Sequence, residues 1–122
     1  MILAPISVGE LLDKISILQI KSNHTKSEYV LRELNDLVSI AKENEIFSEE
    51  DINNLLDVNQ KLWDTENSLR QFEENNVFDN NFIEFARLVY FYNDKRASIK
   101  KTINEKYNSY YKEVKCYGIN YK

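Results

Sequence analysis

The chain is poor in turn-forming residues, with two glycines and one proline among 122 residues. Antiparallel sheets spend such residues at nearly every hairpin, so composition argues against an all-β architecture and favours helices. Histidine and cysteine are equally scarce: His24 and Cys116 are the single examples of each. One thiol makes no internal disulfide, and one imidazole with one thiol completes neither a histidine cluster nor a thiolate zinc site. No metal and no cofactor is therefore expected, and a reducing cytoplasm is the default compartment. A Cys116–His24 nucleophile pair lacks a third group to orient it. A glycine-rich phosphate loop is absent. No apolar run reaches the roughly 18 residues of a membrane span. The apolar opening at residues 1–6 has no basic leader and does not read as a signal peptide.

Charge is plentiful and unevenly placed. The net charge of −4 divides into −10 over residues 1–94 and +6 over residues 95–122. The length fits a single helical domain over residues 1–122, with 109–122 as a basic, tyrosine-rich tail. A basic end on an acidic body can hold an anion or meet the acidic part of another copy. Single-strand nucleic-acid binding by the tail is the less favoured partner reading, because no recognition motif accompanies it.

Start signals divide the chain into four helices. Ser7-Val8-Gly9-Glu10 is a capping box opening a helix to about Ser22, and Thr25-Lys26-Ser27-Glu28 is a second, opening one to about Glu43. Ser48, bracketed by Phe47 and Ile52 and followed by three acids, starts a third helix to about Glu74. Asp79 or Asn81 caps a fourth, to about Tyr107, with Asn108-Ser109 as its end; Tyr107, Tyr111, Val114, Tyr117 and Tyr121 nonetheless keep a helix-like spacing. The expected fold is an all-α antiparallel bundle with a long C-terminal helical hairpin. Each arm of that hairpin is about 40 Å long at 1.5 Å per residue. A domain of this size has a radius of gyration near 14 Å, so a protruding hairpin should find a second one, and a homodimer is expected.

The fourth helix carries the chain's chief anomaly. Phe82, Phe85, Ala86 and Val89 define one helical face, and that face continues as Asn93, Arg96, Lys100 and Asn104. Polar groups on a core-facing stripe cost stability unless they are paired or hydrated. The third helix is interrupted on its own stripe by Asn59, Glu66 and Arg70 among Leu62, Trp63 and Leu69. Folding the two helices back about Val77 and Phe78 sets Trp63 and Glu66 level with Asn93 and Val89, and Arg96 level with Asn59 and Trp63. The cluster reads in two ways: as a structural network with Glu66 compensating Arg70 or Arg96 and Arg96 over the indole, or as a site whose Arg96 and Lys100 keep donors for a carboxylate or phosphate. Helix 1 adds Asp13 and Lys14. Asp13 lies between Ile17 and Ile20 on a second apolar face, which is met either by another subunit or from within the chain, and its carboxylate is otherwise solvent-exposed at an interface rim.

Three segments together resemble a small bacterial family known only as a domain of unknown function, family 6165. They are Pro5 to Ile15, Leu62-Trp63-Asp64 with Glu66, and Ala86-Arg87-Leu88-Val89-Tyr90 followed by Asn93-Asp94-Lys95-Arg96-Ala97. The resemblance extends to Glu113-Val114-Lys115-Cys116-Tyr117, where Cys116 replaces a serine of the family pattern, and Asn108-Ser109 stands where relatives have Gly-Ser. It implies no activity. It does touch the polar positions already selected, and it adds Asp94.

The leading expectation is a non-enzymatic binding or accessory protein, homodimeric, with a polar region between the long helices for an anionic small molecule or a protein partner. Its candidate residues are Asp13, Lys14, Trp63, Glu66, Asn93, Arg96 and Lys100. The alternative is a small all-helical enzyme acting on an anionic metabolite or sugar phosphate. The arginine spacing does not fit a chorismate-mutase-like site, and the paired acidic motifs of magnesium-dependent nucleotide hydrolases are not evident.

Overall fold

A computed structural model describes residues 1–116. Four helices pack together, α1 (Val8–His24), α2 (Glu28–Glu43), α3 (Glu49–Glu74) and α4 (Asn80–Lys106), with no strand among the described residues. No helix in that range is long and apolar enough to cross a membrane. Tyr117, Gly118 and Tyr121, part of the expected tail pattern, lie outside the described residues. The helix-like spacing that would have carried α4 onward is not used: beyond Lys106 the chain turns and runs on without regular structure to Cys116.

Side-chain caps set the helix starts. Ser7, Ser48 and Asp79 accept hydrogen bonds from the first-turn amides of α1, α3 and α4. Two expectations need correction. The cap of α2 is Ser27, which accepts from the Tyr29 amide, while Thr25 Oγ1 accepts from the amide of Ser27. At α1 only half of the capping box forms: Ser7 Oγ accepts from the Glu10 amide, but the Glu10 carboxylate accepts from Lys100 instead of returning to the cap. Helix ends are made without glycine. Asn76 and Asn108 take left-handed φ of 55° and 49°. Asparagine tolerates this conformation better than most residues, and the amides of Val77 and Ser109 then close the ends on Phe72 O and Asn104 O.

The core lies where α1 meets the other three helices. Leu12, Ile15, Ala41, Leu55 and Ile103 are closed to solvent or nearly so, with Leu34, Leu37 and Val38 of α2 against them. Helix α1 occupies the groove between the proximal halves of α3 and α4, and α2 covers its other side. Gly9 permits the closest crossing. A Cβ there would stand 2.7 Å from the Lys100 carbonyl oxygen and 3.0 Å from Asn104 Oδ1. The second apolar face of α1 is met from within the chain: Ile20 is buried, and Ile17 is partly buried. Past that groove the hairpin stands clear of the core, and no residue from 66 through 99 is buried.

Candidate functional site

The polar half of the α4 stripe faces α1, and the groups that meet it come mostly from α1. Asp13 is completely buried. Its carboxylate accepts from Arg96 Nε at 3.0 Å (Oδ1) and 3.1 Å (Oδ2), from Arg96 Nη2, and from Asn59 Nδ2 at 2.8 Å. Asn59 Nδ2 also donates to Ser16 Oγ at 2.8 Å, and the Ser16 hydroxyl donates to the Asp13 carbonyl at 2.7 Å. Three helices are thus joined through one carboxylate. A buried charge is tolerable only with such saturation, and the fork of a guanidinium supplies it in a geometry that an ammonium does not.

One helical turn away, Lys100 Nζ donates to Glu10 Oε2 at 2.7 Å and meets Glu113 Oε1 at 2.7 Å, with Asp13 Oδ2 at 3.9 Å. Burial pushes the ionisation of both cations down, but the hydrogen bonds and charges of the surrounding carboxylates outweigh it. The net result is a raised pKa for Arg96, through Asp13 first, and for Lys100, through Glu10 and Glu113. Both stay cationic through the neutral range. The segment after α4 is drawn over this cluster at two points: Glu113 reaches Lys100, and Lys115 pairs with Asp94 and donates to the Asn93 carbonyl. At the α1 start, the Gly9 amide donates to Asn104 Oδ1 at 2.7 Å and the Val8 amide to Ser109 Oγ at 3.1 Å.

A groove of about 360 Å³ opens beside the cluster, lined by Asn93, Asp94, Arg96, Lys100, Glu113 and Lys115, with Tyr90 at its end. Asn93 and Arg96 also line a smaller pocket of about 160 Å³ with Trp63, Glu66 and Ile17. Trp63 Nε1 is buried without an acceptor among the described residues, and the indole stacks on His24 with ring centroids 4.8 Å apart.

The structure therefore brings Asp13, Asn93, Arg96 and Lys100 together, with Trp63 and Glu66 at the adjoining pocket, and leaves Lys14 exposed. Three expectations are revised. Arg96 is compensated by Asp13 and not by Glu66, which is exposed. The Trp63 ring faces His24, and no guanidinium lies over it. Asp13, read as a possible rim carboxylate, is the most enclosed charge of the cluster. Sequence reasoning did not place Glu113, Lys115 or Ser16 here. Ser16 carries a readable signal, being three residues from Asp13 on the same helical face; Glu113 and Lys115 follow an irregular segment, whose path no periodicity reports.

Fold and cluster define a small all-α protein built around a buried carboxylate–guanidinium network, with a polar groove along one long helix. Among the described residues no group of acids, histidine and cysteine is placed to hold a metal ion. The chain belongs to the family of unknown function DUF6165, whose model matches residues 2–121. No curated protein and no solved structure matches it.

Proposed function

We propose that this protein is a non-enzymatic binding or accessory protein that takes an anionic group, a carboxylate or a phosphate, in the groove over Arg96 and Lys100. The observation that carries this reading is the divided use of Arg96. Its Nε and Nη2 groups are committed to Asp13, while its Nη1 donors have no acceptor among the described residues and its side chain lines the groove. Asn93 lines the same groove, and its side-chain amide makes no bond among the described residues. Glu113 supports the assignment, since its carboxylate sits 2.7 Å from Lys100 Nζ in the position an incoming anion would take. Arg96 and Lys100 already face Asp13, Glu10 and Glu113, so a further anion enters favourably only as Glu113 leaves.

The sole tryptophan gives a single indole N–H resonance, and Trp63 shares a pocket with Asn93 and Arg96. Titration with inorganic phosphate is expected to shift that resonance and the backbone amides around Asn93. Arg96→Lys, which keeps the charge but loses the fork, should weaken phosphate binding roughly tenfold, the change that 1.4 kcal/mol gives. A spectrum that phosphate leaves unmoved in the wild type removes the site.

A further inference from the structure

The groove that α1 fills does not end where α1 ends. Beyond His24 it continues along the hairpin as an open trough of about 410 Å³ floored by Leu69, Phe82, Ala86 and Val89 and edged by Glu66, Arg70 and Glu73. Those three charged residues make no ion pair among the described residues. Phe72, Phe82 and Phe85 pack on one another across the hairpin yet stay only partly buried, and Val77 and Phe78 at the tip are 36% and 52% exposed. Two helices alone cannot enclose a core, and an amphipathic pair normally buries its shared face on a further layer.

We propose that a second copy of this chain fills the trough, its hairpin laid antiparallel on the first to make a four-helix bundle of the distal halves. The charge pattern favours this occupant. Along α3 the edge reads acid, base, acid at Glu66, Arg70 and Glu73, and a two-fold axis passing between Arg70 and Glu73 sets Arg70 against the partner's Glu73 and Glu73 against the partner's Arg70. An isologous contact requires this kind of self-complementarity. On α4 the same axis passes between Phe82 and Phe85, so the aromatic floor meets its own copy, and Ala86 leaves room for close approach. The register also gives the exposed tip a place: Glu66 comes level with the partner's Val77, so each tip covers the opening beside Trp63 on the other chain. The small pocket behind the anion groove is therefore completed by the second copy.

Sedimentation equilibrium on the full chain tests this inference. The wild type should run at twice its 14.5 kDa chain mass. Arg70→Glu and Glu73→Arg, each a change of an exposed side chain, should separately weaken self-association by roughly tenfold or more, since each sets like charges face to face. Mixing the two variants should restore a dimer, because every facing pair then has opposite signs, and circular dichroism should show unchanged helix content in both. A monomeric wild type, or a dimer indifferent to both reversals, overturns the proposal; a monomer leaves the trough to a helix of another protein. A mixture that stays monomeric while each variant remains folded overturns the stated register.

Discussion

At the scale of single residues, the molecule depends most on Asp13. A carboxylate with no solvent contact is held by three donors on two other helices, and Arg96 in turn has no other anion at hydrogen-bond distance among the described residues. Removing one partner of a buried pair strands the other, at a cost of about 3–5 kcal/mol, a large part of the 5–15 kcal/mol typical of a domain. Asp13→Asn is expected to fall in that range by urea denaturation, while Lys14→Ala, one residue along and exposed, should change stability by less than about 0.5 kcal/mol. Equal effects of the two substitutions would show that the network is not what fixes the helices. Much of this cluster was legible in the sequence. Arg96 and Lys100 were conspicuous as cations on a core stripe, and Asp13 as an acid on an apolar face. Their pairing was not legible, because Arg96 lies level with Asn59 and Trp63 on α3 but reaches Asp13 on α1, and linear register within a hairpin says nothing of a third helix.

At the scale of elements, the crossing of α1 over α4 depends on Gly9. Glycine inside a helix is ordinarily a weakness, and replacing it by alanine gains about 0.5–1 kcal/mol. Here the added methyl meets a backbone carbonyl at 2.7 Å, which cannot rotate away as a side chain can. Gly9→Ala is therefore expected to destabilise by about 1–3 kcal/mol, the usual cost of overpacking, as a lowered thermal midpoint. A raised midpoint would mean that the crossing is looser than the contact indicates. The elements themselves were readable from caps and spacing: Ser7, Ser48 and Asp79 each begin a helix where their side chains predict one. The end of α4 was less so, since the tyrosine spacing runs past it, and what stops the helix is the left-handed turn at Asn108.

At the scale of the whole molecule, the chain divides its surface between two uses of one groove. The proximal half is filled by α1 and ends in the polar cluster; the distal half is apolar and open, and its edge charges Glu66, Arg70 and Glu73 make no ion pair among the described residues. The basic end of the chain folds back over the proximal cluster, where Glu113 meets Lys100 and Lys115 meets Asp94. That returning segment buries little apolar surface: Tyr110 and Val114 are 92% and 77% exposed. Its hold on the cluster thus comes mainly from ion pairs, and partly exposed pairs contribute little each, so a competing anion can displace it. In the function proposed above, Glu113 occupies an anion site. Calorimetric titration of inorganic phosphate into the wild type and Glu113→Gln decides whether it does. Glu113→Gln is expected to bind phosphate roughly tenfold more tightly, as the loss of one internal competitor worth about 1.4 kcal/mol requires. Equal affinities, or weaker binding by the variant, would contradict it.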